Sequence, residues 1–382
     1  MQSTLTQNEN NVTQTSSAAL TWRTYTASEA SEGLNMWSRL SHRLENSSMA
    51  THPAWVQSWI DNYGDEVPFR FLVGEADDQV RGIALLTAGI EQKYGPFPVK
   101  TLHVGTAGEA LQGTIKVEYN RLLVEPEYSQ AFLNGLVNTI SNDTSWEVFN
   151  LDGFAEDELR PWKTHFPNSA IRYRDSLYFD FEEAREKNSD VISQLGKSTR
   201  SNIRRRIKKL GKLETEWATN LAQGAEIFEE LVELHQERWN ATGEPGAFAN
   251  PKFLNFQRQL IVQLIAEEKL VLFRVRHESK TVGCLMLLVD QNRMLDYLSG
   301  FESFEKYPSI GLITHYLCME EALKRGFSAY DFLVGEKQHK NNLSTHCNQL
   351  CWLTFNRPSL KTKTVKTYRK MKRFIQGTSA TQ

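Results

Sequence analysis

The sequence has no apolar run approaching the ~20 residues that a helix needs to cross a bilayer. Residues 1–20 are rich in Ser, Thr, Asn and Gln and lack the basic start and apolar centre of a secretion signal. We therefore expect a disordered lead at 1–20 and a cytoplasmic location. Cysteine is scarce, and its few positions lie in strand-like or helix-like segments, which argues against a disulfide framework. They are Cys284, Cys318, Cys347 and Cys351.

Acidic residues are missing from two segments, although the whole chain is nearly neutral, with 44 Lys and Arg against 46 Asp and Glu. Eight cations lie between Asp190 and Glu214, and eight more lie in 357–382, with no acid inside either segment. Such clusters predict anionic partners or solvated faces. In 361–373 apolar residues alternate with the cations, which favours either a helix docked on the second half of the chain or one that touches an anionic membrane.

The first basic segment has a helical period, with an apolar face and a basic face before Gly211. The apolar face carries Ile203, Ile207 and Leu210, and the basic face carries Arg200, Arg204 and Lys208. Like charges four residues apart repel one another unless acids are interleaved. The face is therefore either simply solvated or relieved by phosphates, such as those of CoA, a nucleotide-sugar, a lipid diphosphate or tRNA.

The most informative stretch runs from Leu270 to Lys340. Short apolar runs around a polar tip indicate a hairpin. A proline before a serine cap, followed by apolar residues at helical spacing, indicates a helix. The predicted elements are a hairpin at 271–289, a strand at 293–299, a helix from Ser309 to Gly326 and a strand at 330–334.

Ser309, Ile310 and Gly311 form the start of that helix. A strand that feeds a helix through small residues presents free backbone N–H groups and the positive end of the helix dipole at one point. A pyrophosphate or a thioester oxygen fits there, and Gly311 permits a close approach by a ligand. The alternative is an ordinary capped helix with a packing glycine.

A fainter copy of the same plan precedes this stretch. Residues 69–86 align without a gap on 270–287. The matched positions include Gly82 with Gly283 and Asn150 with Asp331. The matched order of elements predicts a duplicated chain. The first copy lacks the Ser-Ile-Gly helix start, so we expect the chemistry in the second.

Four motifs in a fixed order carry a resemblance to a known family. They are Ser-Thr-Arg-Ser-Asn-Ile-Arg-Arg-Arg at 198–206, Leu-His-Gln-Glu-Arg-Trp at 234–239 with Gly-Ala-Phe at 246–248, Tyr-Pro-Ser-Ile-Gly at 307–311, and Tyr-Asp-Phe-Leu at 330–333 followed by Glu336 and Lys340. Together they resemble the GNAT-superfamily acetyltransferases of the cellulose-biosynthesis type, which are relatives of the FemAB-like peptidoglycan aminoacyltransferases. The resemblance covers roughly 175 to 355. It weakens after Gly335, where His339 instead of an aromatic residue precedes Lys340, and this bears on the acceptor more than on the fold.

The resemblance implies tandem GNAT-like α/β domains at 20–165 and 166–382, with mixed central sheets flanked by helices. It implies an acyl site in the second domain and an acceptor cleft between the two. Acetyl-CoA or another acyl-CoA would be the co-substrate, with no permanently bound cofactor. The acyl group would pass to an amine or hydroxyl of a sugar or cell-envelope precursor.

Two alternatives stay open at this stage. One is FemAB-like transfer from aminoacyl-tRNA, which would explain the cations, although the heptads of a coiled-coil arm are missing. The other is a non-catalytic protein that binds a phosphate ligand in an envelope polysaccharide pathway. A DNA partner is not expected, because the pI is near 6.5 and no reader fold is recognisable.

Acyl transfer needs a group that takes the acceptor's proton and donors that stabilise the oxyanion. Asp331, expected at a strand end beside the acyl site, is the first candidate base, and Glu336 is the second. Their structural alternatives are a turn cap for Asp331 and an ion pair with Lys340 for Glu336. The expected cofactor-binding residues are Ser309, Ile310, Gly311, Arg200 and Arg204. The expected substrate-binding residues are Arg238, Trp239, Tyr297 and Lys340, with core packing as the alternative for Trp239.

A metal site is not expected. His339, His346, Cys347 and Cys351 are the residue types that zinc binds, but the segments between them are strand-like. Their spacing also matches no usual zinc pattern.

Overall fold

The computed structural model describes residues 19–44, 47–91, 98–110, 113–115 and 118–358. Residues 1–18 of the predicted lead and the whole basic segment 361–373 lie outside them. The strands are β1 (Thr21–Thr26), β2 (Phe69–Ala76), β3 (Gln79–Glu91), β4 (Val99–Val104), β5 (Leu123–Val124), β6 (Val148–Ala155), β7 (Ala170–Asp180), β8 (Leu213–Trp217), β9 (Leu270–His277), β10 (Lys280–Asp290), β11 (Arg293–Phe301), β12 (Ala329–Val334) and β13 (His346–Asn356).

The helices are α1 (Ala30–Arg43), α2 (Pro53–Tyr63), α3 (Ser129–Asn142), α4 (Glu156–His165), α5 (Phe181–Glu186), α6 (Val191–Gln194), α7 (Lys197–Leu210), α8 (Leu221–Asn240), α9 (Pro251–Leu264), α10 (Ile310–Lys324) and α11 (Gln338–Leu343). Short 3₁₀ helices lie at Ala27–Glu29, Met49–Thr51, Pro126–Tyr128 and Ala247–Ala249. The hairpin, third strand, helix and fourth strand predicted after Leu270 are all confirmed, as β9 to β12 with α10. The predicted basic helix is confirmed as α7, which ends at Gly211 in a positive φ of 77°.

The sheet repeats one plan twice, as the sequence alignment predicts. In the first half β1 to β4 pair antiparallel in order and β6 joins β4 in parallel, and in the second half β8 to β11 and β12 do the same. His103 pairs with Asn150 at the β4–β6 junction, and Leu295 pairs with Asp331 at the β11–β12 junction. Asn150 and Asp331 therefore hold equivalent positions, and the predicted mixed α/β fold is confirmed.

The two halves exchange their last strands at the centre of the molecule. β7 pairs with β12 of the second half, and β13 pairs with β6 of the first half, while β7 and β13 pair with each other. One continuous sheet results. The boundary predicted after residue 165 falls between α4 and β7, one strand before the first repeat ends with β7. The domain ranges stay a prediction about folding units.

Apolar cores cover both faces of the sheet. On one face α1, α2, α8 and α9 share a core, in which Trp55 of α2 lies edge-on to Phe256 of α9 with ring centres 5.0 Å apart. On the other face α10 covers the second half and α3 with α4 covers the first. Because helices of both halves bury apolar surface in the shared core, that core fixes how the halves are oriented.

Gly82 and Gly283 lie under the helix that follows each hairpin. A Cβ at Gly82 would lie 2.4 Å from Cδ2 of Phe132 in α3. A Cβ at Gly283 would lie 2.3 Å from Oγ1 of Thr314 in α10. The matched glycines therefore reflect close packing of helix on sheet in both halves.

We expect Gly283→Val to lower the free energy of unfolding by about 1–3 kcal/mol, because the added atoms overpack the contact with Thr314. Gly196→Ala is the control, since a Cβ there meets nothing within 4 Å. Urea unfolding followed by circular dichroism measures both. An unchanged midpoint for Gly283→Val would show that α10 can shift away without cost.

Candidate functional site

A slit opens in the sheet between β11 and β12. Their pairing ends at Leu295 and Asp331, whereas β11 continues to Phe301. A β-bulge accompanies the separation, because Tyr297 is an extra residue in the pairing of β11 with β10. Beyond Leu295 that edge of β11 has no partner strand in the described part of the chain, so backbone groups face the slit.

The slit opens into a cavity of about 1890 Å³. A single small-ligand site usually occupies 300–1,000 Å³, so this space has room for two ligands. Its second-half wall includes Asp296, Phe301, Ser309, Gly311 and Lys340. Its first-half wall includes His103, Glu109, Glu118, Asn150 and Asp152. The central strands contribute Arg172, Arg174, Trp352 and Thr354.

The start of α10 points at this cavity. Ser309 has a left-handed φ of 69° and its side chain makes no capping hydrogen bond. The N–H groups of Gly311 and Leu312, both on the cavity wall, have no acceptor among the described residues. The predicted Ser309–Gly311 turn thus presents free donors, although the Ile310 side chain is buried in the core. Gly311 also packs closely, since a Cβ there would lie 3.2 Å from Phe301.

Asp331, the first candidate base, is fully buried, and the described residues that line the cavity do not include it. Its Oδ1 accepts from the Ser176 hydroxyl (2.6 Å) and from the Leu333 N–H (2.8 Å). Its Oδ2 accepts from the Tyr119 hydroxyl and forms an ion pair with Nε of Arg293 (3.1 Å). With both oxygens engaged, Asp331 fits the turn-cap alternative better than the role of base.

Lys340 is fixed on the cavity wall at the end of β12. Its Nζ donates to the carbonyls of Leu333 (2.9 Å) and Val334 (3.2 Å), and burial lowers its pKa. A buried ammonium at this place can stabilise an oxyanion. Glu336, the second candidate base, is exposed and lines the cavity, and it forms no ion pair with Lys340 in the described part of the chain.

Asp296 is a further carboxylate at the slit, and it faces the side covered by α10. Its Oδ2 lies 3.8 Å from Nε2 of His315, whose Nδ1 is 2.9 Å from the Tyr330 hydroxyl. Burial raises the pKa of Asp296 to about 6 and lowers the pKa of His315 to about 3. At neutral pH an ionised carboxylate therefore faces a neutral imidazole. No described residue donates a hydrogen bond to Asp296, so its lone pairs are available to a ligand.

Asp296, His315 and His339 are the residues that could hold a metal, since their donor atoms lie within 4.8 Å of one another. The two imidazole rings are stacked, with planes 9° apart and centres 4.8 Å apart. Nitrogen lone pairs lie in the ring planes, so stacked rings do not converge on one point as tetrahedral ligands must. We assign no metal to the cluster.

Glu118 reaches the second-half slit from the first half of the chain. Its Oε2 accepts from the Val334 N–H (2.8 Å), and it lines the cavity. Burial raises the pKa of Glu118 to about 7. The next residue is Tyr119, which bonds Asp331, so this segment braces β12 at two points.

Asn120 closes the equivalent slit of the first half. β4 and β6 separate after His103 and Asn150, as β11 and β12 do in the second half. Into this gap Asn120 donates its N–H to Gly153 O (3.0 Å) and its Nδ2 to Val104 O (3.0 Å). The chain itself therefore occupies the place where the second half is open, which is a physical reason for the asymmetry expected from the sequence.

Some of the remaining predicted site residues line the cavity, and others do not. Arg238 and Tyr297 line the cavity, and Arg238 lies over the Phe304 ring at 4.8 Å. Trp239 is 43% exposed and is absent from the described cavity lining. Arg200 and Arg204 on α7 are likewise absent from it, whereas Asn202 of the same helix contributes. Their assignment to cofactor phosphates stays a prediction.

Sequence reasoning missed Asp296, His315 and Glu118. Asp296 could have been found from its position, because it is an acid between apolar residues on a predicted strand. His315 lies among apolar residues of a helix, and that pattern indicates a buried core position. Glu118 lies in the Gly- and Pro-rich insertion at 94–120, where no periodicity orients a side chain.

Comparisons with known proteins agree with this architecture. Residues 197–341 match the family profile described as the acetyltransferase (GNAT) domain. The structure is similar to the C-terminal domain of a proposed lysylphosphatidylglycerol synthetase from Agrobacterium fabrum, with a TM-score of 0.54 and 10% identity over 90% of this chain and 96% of that one. It is also similar to FemX, with a TM-score of 0.53 and 12% identity over 83% and 95% of the two chains. No curated protein matches the chain.

The fold is thus of the GNAT acyltransferase type, and the matched residues contain α10 and the slit. In the part of the chain that the structure describes, no helix combines the length and apolarity that a membrane crossing requires.

Proposed function

We propose that the chain is an acyl-CoA-dependent acyltransferase that moves an acetyl or other acyl group to an amine or hydroxyl of a sugar or cell-envelope precursor. One observation carries the proposal most directly. The slit beside β11 and the unpaired N–H groups of Gly311 and Leu312 open on the same cavity. The acetyltransferase (GNAT) domain match over 197–341 supports the acyl donor. The resemblance of four motifs to the cellulose-biosynthesis type supports the envelope setting. The location included in this proposal is cytoplasmic.

The donor fits the slit in two parts. The N–H groups at the start of α10 suit the pyrophosphate of CoA, because they are free donors at the positive end of a helix dipole. The unpaired edge of β11 beyond Leu295 suits the amide groups of the pantetheine arm, which can hydrogen bond to it as a neighbouring strand would. In this proposal the thioester lies near Asp296 and Lys340, which both line the cavity.

Transfer then needs one proton acceptor and one positive charge. The acceptor's nitrogen or oxygen attacks the thioester carbon, and Asp296 takes the proton that the nucleophile loses. The Lys340 ammonium stabilises the oxyanion of the tetrahedral intermediate. When that intermediate collapses, the C–S bond breaks and the CoA thiolate leaves with the electron pair.

We expect Gly311→Asp to weaken acetyl-CoA binding at least tenfold, because a carboxylate would stand beside the N–H groups that receive the pyrophosphate. Isothermal titration calorimetry with acetyl-CoA and CoA measures this loss. Gly311→Asn is the matched control: it adds a side chain of the same size without the charge, so we expect a smaller loss, and the difference between the two variants gives the effect of the charge. Folded wild-type protein that binds neither compound at millimolar concentration would disprove the donor assignment.

A further inference from the structure

We propose that Arg172 and Arg174 form a phosphate-binding subsite on the central strands, apart from the start of α10, and that the subsite holds a phosphate or diphosphate group of the acceptor. The binding of phosphate follows from the residues themselves. Its assignment to the acceptor rests on the proposed function.

The two arginines lie on one face of β7. Residues two apart on a strand share a face at a spacing of about 7 Å, and both side chains line the cavity. Arg172 pairs directly with Trp352 of β13, and its guanidinium carbon lies 5.4 Å from the centre of the indole. The carbon of Arg174 lies 5.9 Å from the same ring. The shared ring holds both cations at the cavity wall.

Neither guanidinium forms an ion pair with an acid in the described residues. Two acids of the cavity wall have other partners: Asp152 is 2.7 Å from His103, and Glu118 accepts from a backbone N–H. Burial raises the pKa of Glu118 to about 7, and the charge of Arg174 offsets only a small part of that rise. Two positive charges therefore face the cavity without full compensation.

A phosphate ester suits this pair better than a carboxylate. Each guanidinium offers parallel N–H donors that match phosphate oxygens, and a dianion can neutralise both arginines where a carboxylate neutralises one. Neutral polar groups complete the wall nearby, since Thr354 donates to Asn150 at 3.0 Å. The cavity volume leaves space for this group beside a bound acyl donor.

Calorimetry of inorganic pyrophosphate with the full-length protein tests the subsite. The titration is done with and without saturating CoA, so that the phosphate site at α10 is filled in one arm. We expect wild type to bind in both arms, and in the arm with saturating CoA we expect at least tenfold weaker binding to R172Q/R174Q. The control R39Q/R160Q removes two exposed arginines from α1 and α4, neither of which lines the described cavity, and we expect its affinity to stay within twofold of wild type.

Pyrophosphate binding that CoA abolishes, or that R172Q/R174Q leaves unchanged, would overturn the subsite. CoA affinity is measured in the same variants. R172Q/R174Q should keep that affinity, and if wild type binds pyrophosphate but no CoA, the proposed function fails while the subsite stands. Because both side chains are exposed, the variant is expected to fold, and each single substitution provides a second readout. UDP and geranyl diphosphate as further ligands distinguish a nucleotide from a lipid source of the phosphate.

Discussion

Asp296→Asn is expected to reduce the rate of acyl transfer by about 10²-fold or more while the protein still folds and binds CoA, because removing a positioned base slows such a reaction by about that factor. Asp296 lies on the cavity wall and has no hydrogen-bond donor among the described residues, so its carboxylate is free to accept a proton. Steady-state kinetics of acetyl-CoA turnover, measured as thiol release with an amine or hydroxyl acceptor, gives the loss.

The same variant has a pH signature. Burial raises the pKa of Asp296 to about 6, and the groups whose charges act on it are His339, Lys340, Lys337 and Asp331. Turnover of wild type should rise as pH increases through about 6, when the carboxylate ionises, and this inflection should vanish in Asp296→Asn.

The folded pKa lies above the ordinary value of 3.8, so between these values the folded state binds more protons than the unfolded state. Stability of wild type should therefore fall as pH rises through that window, and the variant should escape the fall.

Glu118→Gln is the matched control, because Glu118 also lines the cavity and has a raised pKa. Its Oε2 accepts a backbone N–H, which a Gln oxygen can also do, so we expect a smaller loss of turnover. Near-normal turnover by folded Asp296→Asn together with a 10²-fold loss in Glu118→Gln would transfer the role of base to Glu118.

Asp331→Ala is expected to lower the free energy of unfolding by about 3–5 kcal/mol, the usual cost of breaking a buried ion pair from one side. The substitution leaves Arg293 without its carboxylate and frees the N–H of Leu333, a non-glycine residue with a φ of 56°. Ser176 and Tyr119 also lose their acceptor. Urea unfolding measures the change.

Asn150→Ala is the control at the equivalent position of the first half. Asn150 is only half-buried and accepts one hydrogen bond, from Thr354, so a loss of about 1 kcal/mol is expected.

Asp331→Asn tests the earlier assignment of Asp331 as the base. Full stability with turnover reduced 10²-fold would restore that assignment, whereas reduced stability with turnover proportional to the folded fraction agrees with a structural role.

The repeated order of strands and helices could be predicted from the sequence because each element depends on a pattern of neighbouring residues. Short apolar runs around a polar tip indicate a hairpin from neighbouring residues alone, and the tips at 77–78 and 278–279 both adopt positive φ. The start of α10 was predictable for the same reason, since Pro308, Ser309 and the first apolar residues lie within one turn, although the Ser309 side chain makes no capping hydrogen bond. Such signals need no knowledge of distant residues.

The candidate site depended on contacts that are distant in sequence. Asp331 and Asp296 are both acids on apolar strands, and local pattern gives no reason to prefer one as base. The preference arises because Ser176 and Tyr119, from β7 and the first half, occupy the oxygens of Asp331 and leave those of Asp296 free. Asp331 stays the prediction from the sequence, and Asp296 is the proposal from the structure.

The sequence alone thus determined the repeated strands and helices, the half that keeps an open helix start, and the acyltransferase resemblance, since each depends on residues close together in the chain. Only the tertiary structure decided that the last strands are exchanged, that Asn120 fills the first slit, and that Arg172 and Arg174 face the same cavity as Gly311. Those outcomes depend on which strand edges and faces meet, and local sequence does not encode a partner that is distant along the chain.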